Sequence, residues 1–427
     1  MSPNILDCTR KRGVVAVMLA MVLGLLVRQA QAQDLAIEPE QAGPEFRIQG
    51  EYKGTVGGSI MAIQVRAPGP GKFTALVLKG GFPGEAWDGI QGLEVTGTLA
   101  SGNGVFSGGG YSFTIPALGT DLTGTGPTGA ISLSKVMRGS RSMGMVPPPG
   151  ADILFNGTGV DNFRLGARFD ATRKLLYTGA RTKPDYKSVR MHVEFRTCWK
   201  INGLGQLRSN SGVLFKDRWE IQILDSYGTP VPKTDDCGAM YGQFPEKYNM
   251  CLPPLSWQTF DIDFKDVEMN TDGTVKNQAA ATVYHNGVLV HYKKSFTGIT
   301  LSGSNLIPGP DGTNLQAYGS ATENPVFYRN LWAVPNPPDL LDTAWFALNT
   351  TSLGRGAFSI RPMRTTHTAD GAWVGIDGRL LDSREVTRVG RFGAWFPLGK
   401  QHANQTLLPS FQETPEHSIW AISKEPK

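Results

Sequence analysis

Between Asn210 and Asp225 the chain carries its densest run of side chains able to hold or deprotonate a polar ligand, reading Asn-Ser-Gly-Val-Leu-Phe-Lys-Asp-Arg-Trp-Glu-Ile-Gln-Ile-Leu-Asp. In its second half the apolar Trp219, Ile221 and Ile223 alternate with Glu220 and Gln222. Strand side chains alternate between faces, so this is one strand with Glu220 and Gln222 on the same side. An ionised carboxylate accepts protons and hydrogen bonds, and an amide both donates and accepts. With Asp225 following, such a face suits a groove for a hydroxyl-rich sugar, or an ordinary solvated surface. A second strand, Val189-Arg-Met-His-Val-Glu-Phe-Arg, repeats the pattern, with Met191, Val193 and Phe195 on one side and His192, Glu194 and Arg196 on the other. The two polar faces are expected to share one groove, so that Glu194, Glu220 and Gln222 open to a common cavity while Val193, Ile221 and Ile223 pack inside. A two-carboxylate glycosidase would need its pair about 5–9 Å apart across such a groove.

The elements that must position these groups are strands. Gly 52 and Pro 28 are both high, and long helical periodicity is absent, which points to an all-β chain with many turns. Residues 33–137 read as a small β domain of short strands broken by glycine turns. Residues 138–150 form a basic, Pro-rich linker ending in Pro147-Pro148-Pro149, too stiff to join a sheet centrally. Residues 151–335 alternate again, and Asn286-Gly287 between two apolar runs is a strong hairpin signal. Many antiparallel strands without intervening helices predict a two-sheet jelly-roll sandwich as the main domain. Residues 336–427 form a β-rich C-terminal extension with no assignable role.

At the N-terminus, Arg10-Lys11-Arg12, the apolar run Gly13–Val27 and Ala30-Gln31-Ala32 have the features of a secretory signal peptide over 1–32. The run is shorter than the roughly 20 residues a membrane span needs. The expectation is therefore an exported protein, periplasmic or extracellular, with no transmembrane segment after cleavage. The formal charge of +5 loses four basic residues and one acid on cleavage and falls to about +2, too little to suggest nucleic acid as a partner. The six His are scattered and no Cys-x-x-Cys pair exists, so no metal site is expected; an Asp-rich calcium loop is absent as well. Cys237 and Cys251 flank one loop and are expected to form a disulfide, which would restrict the unfolded chain by about 3 kcal/mol, with Cys198 left over as a buried thiol.

Several ordered motifs carry a resemblance. Leu154-Phe-Asn-Gly157, Met191-His-Val-Glu-Phe-Arg196, Asn210-Ser-Gly212 and Glu220-Ile-Gln-Ile-Leu-Asp225 come first. Cys237-Gly-Ala-Met-Tyr241, Trp257-Gln-Thr-Phe-Asp-Ile262, Asn286-Gly-Val288 and Arg329-Asn-Leu-Trp332 follow. Over about residues 151–335 the chain resembles the 3-keto-disaccharide hydrolase domain family of exported bacterial proteins. Gln49-Gly-Glu-Tyr52 is similar to a short β domain that often precedes it. The resemblance implies a concanavalin-like jelly roll and the hydrolysis or eliminative cleavage of a glycoside oxidised at C3, with a saccharide as the partner. A ketone at C3 acidifies the C2 proton, so the chemistry asks for one base, one acid and donors to an enolate oxygen. On this resemblance Glu220 is the base and Arg329 stabilises the oxyanion, with Glu194 and His192 as further acid–base candidates. Asn210, Gln222, Asp225, Tyr241 and Gln316 line the substrate site, and Trp257 stacks on a sugar ring. No cofactor is assigned.

One departure stands out. Where the family has Leu-Gln-Asp-His-Gly, this chain reads Leu315-Gln316-Ala317-Tyr318-Gly319. The alternative reading is a lectin-like module that binds a sugar without cleaving it, since one fold hosts many functions.

Overall fold

The computed structural model describes residues 34–300, 308–319 and 323–336. Beyond these it gives the backbone of short paired strands at Phe358–Arg361 with Ala421–Lys424, Thr366–His367 with Trp373–Val374, and Thr387–Arg388 with Ala394–Trp395. The signal peptide expected over 1–32 lies outside the described residues, as does most of the extension over 336–427. Helix is confined to single turns at Pro39–Gln41, Pro44–Ile48 and Gly205–Leu207 among the described residues. No described helix is long and apolar enough to cross a membrane.

The first β unit closes on itself. Eight antiparallel strands from Gly50–Val56 to Gly129–Val136 pair in sequence order, and the last returns to the first through Glu51↔Val136 and Lys53↔Ser134. Closure removes free strand edges. Ile63 and Val65, with Phe73 and Ala75 from the next strand, face an interior also filled by Tyr52, Phe106 and Phe113. The rings of Phe106 and Phe113 stack with centroids 4.7 Å apart. Gly97 is what lets Phe106 lie inside, since a Cβ there would stand 2.4 Å from that ring.

The second unit is a two-sheet sandwich of antiparallel strands. Its larger, eight-stranded sheet places Val189–Thr197 between Trp257–Lys265 and Val326–Pro335. The smaller sheet holds Ala180–Arg181, Thr313–Leu315, Ser211–Phe215 and Trp219–Ile223, in that order. Met191, Val193 and Phe195 from the larger sheet and Val213, Phe215, Trp219, Ile221 and Ile223 from the smaller share one buried core. The period of two then sends their polar neighbours outward from both sheets. Asn286 and Gly287 join Ala280–His285 to Val288–Ser295 with φ of 52° and 76°, the left-handed pair that a tight hairpin turn demands.

Barrel and sandwich share packing. Trp199, Ile201 and Leu255 of the sandwich belong to the barrel's apolar cluster, with Phe46 edge-on to Trp199 at 5.4 Å. Arg208 donates to the Ala67 carbonyl of the barrel, and buried Glu51 of the barrel receives both Nε and Nη2 of Arg138. The Pro-rich stretch from Arg138 onward does not run free between the units. It lies across the outer face of the larger sheet, where Ser142 bonds Thr259 and Asp261, and Met145 packs with Tyr284, Leu289 and Trp332.

Candidate active site

Glu220 stands on the outer face of the smaller sheet. Leu214 faces it across the Ser211–Phe215 strand, and the Tyr241 backbone N–H donates to the Glu220 carbonyl on the other side at 3.1 Å. The bridge Ile221↔Met240 fixes that outer register, so Glu220 and Tyr241 are cross-strand neighbours. Gln222 is paired with Gly212, whose carbonyl receives the Gln316 N–H at 2.9 Å. Gly212 therefore leaves a gap between Gln316 and Gln222, and the Glu220 side chain leans into it. A Cβ at position 212 would lie 2.2 Å from Glu220 Oε1 and 2.8 Å from its Cγ and Cδ. The glycine of Asn-Ser-Gly exists to make room for this carboxyl group.

The surroundings of that carboxyl group are dry. Glu220 is 1% exposed, and no hydrogen-bond donor or cation meets its carboxylate among the described residues. Burial alone pushes its pKa up to about 7. Tyr241 is raised as well, by burial first and by the nearby Glu220 second, which keeps the phenol protonated.

Amides hold the rest of the face. Gln206, on the turn Gly205–Leu207, accepts at its side-chain oxygen from both Asn210 Nδ2 and Gln222 Nε2, the latter at 3.0 Å. Its own Nε2 donates to the Asp235 carbonyl at 2.9 Å. Gln222 Oε1 is left buried without a partner among the described residues. Five of the residues singled out in the sequence, Asn210, Glu220, Gln222, Tyr241 and Gln316, thus gather on one face.

The expected common cavity with Glu194 does not form. Both strands put their apolar residues into the same core from opposite sheets, so their polar faces point away from each other across the sandwich. His192, Glu194, Trp257 and Arg329 lie on the outer face of the larger sheet. There Glu194 receives Arg329 Nε at 2.7 Å, Asn330 Nδ2 at 2.8 Å and the Gly144 N–H at 2.6 Å. His192 Nδ1 meets Asp261 at 2.6 Å, its ring stacks on Trp332 at 5.3 Å, and its Nε2 stands 3.6 Å from Glu194, close enough for an ion pair but not a hydrogen bond. Burial would raise the Glu194 pKa, yet these contacts hold it down at about 2. Burial would lower that of His192, and Asp261 with Glu194 carries it up to about 9. The network is a set of ion pairs under the Arg138–Gly150 stretch, in which His192 Nε2 stays buried without a hydrogen-bond partner among the described residues.

The remaining expectations also move. Arg329, expected beside Glu220, is committed to Glu194 on the far face. Trp257 has the Arg329 guanidinium 4.0 Å from its ring centroid and that of Arg196 at 5.3 Å, so its ring is occupied by cations. Asp225 is buried and binds Arg208 at 2.9 and 2.7 Å, which ties the sandwich to the barrel and takes Asp225 away from any ligand. Cys237 and Cys251, expected as a disulfide, are free buried thiols in contact with each other, and burial followed by the neighbouring Cys251 thiol raises the Cys237 pKa well above its ordinary value. Cys198 is free and buried against Ser209. Tyr318 is 47% exposed, and the insertion that follows it falls partly on residues outside the described set. No group of three or more His, Cys, Asp or Glu is arranged to hold a metal among the described residues.

Sequence reasoning missed Gln206, Gly212 as a space-maker, and the Arg138–Gly150 stretch as a cover. Gly212 was in plain view, since a glycine inside a strand marks close approach by another group. Gln206 carried no such signal, because a polar residue on a turn has no periodicity to betray it.

The sandwich with one unpaired, buried carboxylate on its smaller sheet defines the class of site, and comparison with known proteins narrows it. Residues 150–333 match the family described as the 3-keto-alpha-glucoside-1,2-lyase-like domain, in agreement with the motifs above. No curated protein matches the chain. Three solved structures of candidate glycosyl hydrolases from Parabacteroides distasonis are similar to it. The first has 24% identity and a TM-score of 0.40, covering 44% of this chain and 84% of its own. The second has 13% identity and a TM-score of 0.33, covering 45% and 99%. The third has 20% identity and a TM-score of 0.29, covering 43% and 98%.

Proposed function

We propose that the sandwich cleaves a 3-keto-glucoside, with Glu220 as the base. The observation that carries this reading is a buried, unpaired glutamate whose pKa sits near neutrality, poised both to take a proton and to return it. The match of residues 150–333 to a 3-keto-alpha-glucoside-1,2-lyase-like domain supports the substrate class.

Glu220 takes the proton from C2, and the C2–H electrons form the C2=C3 double bond of an enolate whose charge sits on the C3 oxygen. The enolate then re-forms the ketone and expels the C1 oxygen, leaving a C1=C2 double bond. The proton on Glu220 passes to the departing oxygen. Water added back across that double bond gives the hydrolysis product. The Tyr241 phenol, beside Glu220 and protonated, donates to the enolate oxygen, the part that sequence alone gave to Arg329. Gln222, Asn210 and Gln316 hold the sugar hydroxyls. The basic and apolar N-terminal segment supports export, where such a saccharide would be met.

A second reading, lectin-like binding, is favoured by one observation: the half-exposed Tyr318 stands where the family has His. The two separate on incubation with a 3-keto-glucoside. Release of the C1 substituent is the expected result; a bound sugar recovered intact would favour the lectin.

A further inference from the structure

The amides around Glu220 can be oriented only one way. The Asp235 carbonyl is an acceptor and nothing else, so the nitrogen of the Gln206 side chain must turn to it, at 2.9 Å. Gln206 Oε1 is then forced toward Asn210 and Gln222, and both must present their NH2 groups to it. The Gln222 oxygen is thereby turned away from Gln206, buried and unsatisfied among the described residues. Asn324, whose Nδ2 donates to the Gln206 backbone carbonyl at 3.3 Å, likewise keeps a buried Oδ1 without a partner. Two buried acceptors without donors are costly unless a ligand or an ordered water supplies them.

We infer that Gln206 is a positioning residue, which fixes the Gln222 amide so that its oxygen selects a ligand with a hydroxyl donor beside Glu220. This rests on the glycoside-cleaving reading above. Gln206 touches no reacting atom; it acts through Gln222. An analogue lacking the hydroxyl would leave Gln222 Oε1 buried and unpaired, the kind of mismatch a polar site rejects most strongly.

The test is a double-mutant cycle on the full chain with a 3-keto-glucoside, using Gln206→Leu, Gln222→Leu and the double variant, with Gln206→Ala as a check that adds no apolar bulk. Each single change is expected to raise KM about tenfold, the value of one hydrogen bond, with kcat and its pH profile little changed. The double variant should be no worse than either single one, because both remove the same contact. Thermal melting of each variant close to wild type would show that the turn has not collapsed. Additive KM effects, or a Gln206→Leu variant with unchanged KM, would overturn the assignment while leaving the cleavage reading in place. A wild-type protein that leaves the 3-keto-glucoside intact would remove both.

Discussion

Two glutamates, each 1% exposed, sit on the two outer faces of one sandwich and have opposite fates. Glu194 is met by Arg329, Asn330 and the Gly144 N–H and stands near His192, which hold it ionised down to about pH 2. Glu220 meets none of these among the described residues, and burial lifts it to about 7. Burial is therefore not what distinguishes them; the partners supplied by the neighbouring strands are. A carboxylate given every partner is fixed in place and chemically idle, whereas one left alone can exchange its proton near neutral pH. The difference is also one of cover. The Arg138–Gly150 stretch lies over Glu194 and gives it the Gly144 N–H, while Gly212 leaves room for the Glu220 carboxyl group.

The comparison can be broken most forcefully at Glu220 itself. Glu220→Gln should lower turnover of a 3-keto-glucoside by about 10²–10⁴-fold with sugar binding little changed. The same substitution should stabilise the fold at pH 8. With a folded-state pKa near 7 against an ordinary 4.5, wild-type Glu220 keeps a proton that the unfolded chain has lost, so stability falls as pH rises through that window. Chemical denaturation of both proteins at pH 5 and pH 8 reads this directly. His192→Ala should do the reverse and cost about 3–5 kcal/mol of stability by taking the buried cation away from Asp261, as measured by denaturant unfolding. Glu194, depressed to about 2, adds stability above pH 4.5 that is lost as pH falls toward 2. Gly212→Ala should displace the Glu220 carboxyl and lower kcat by about 10–100-fold, because small misplacements of a reacting group are costly. Its effect on the melting temperature should be smaller than that on kcat, since the three nearest atoms all belong to the Glu220 side chain. The smallest effect is expected at the thiols: mild oxidation should join Cys237 to Cys251, read as a loss of two hydrogens by mass spectrometry, and raise stability by no more than about 3 kcal/mol.

Much of this was legible in the sequence, for one physical reason. The alternation in Trp219–Ile223 and in Val189–Arg196 assigns every inward and outward side chain in both strands, and the structure follows it residue by residue. Alternation is silent on which sheet a strand joins. Glu194 and Glu220 share a pattern yet occupy different sheets, so the cavity expected between them became two separate faces. Arg329 was misplaced for the same reason. The eight-stranded barrel was visible only as short strands with glycine turns, because closure depends on Gly50–Val56 meeting Gly129–Val136 across the whole unit. Asp225 looked like a ligand-binding carboxylate because its partner, Arg208, lies seventeen residues earlier with no spacing rule to join them.

The pH–rate profile of 3-keto-glucoside cleavage tests the central claim most directly. With Glu220 as the base, kcat/KM should rise with pH through an inflection near 7, set by the raised pKa of that carboxylate. The same limb should persist in Glu194→Gln and be missing from the residual activity of Glu220→Gln. A wild-type limb near pH 4, or a limb near 7 that survives in Glu220→Gln and vanishes in Glu194→Gln, would contradict the account and move the chemistry to the other face of the sandwich.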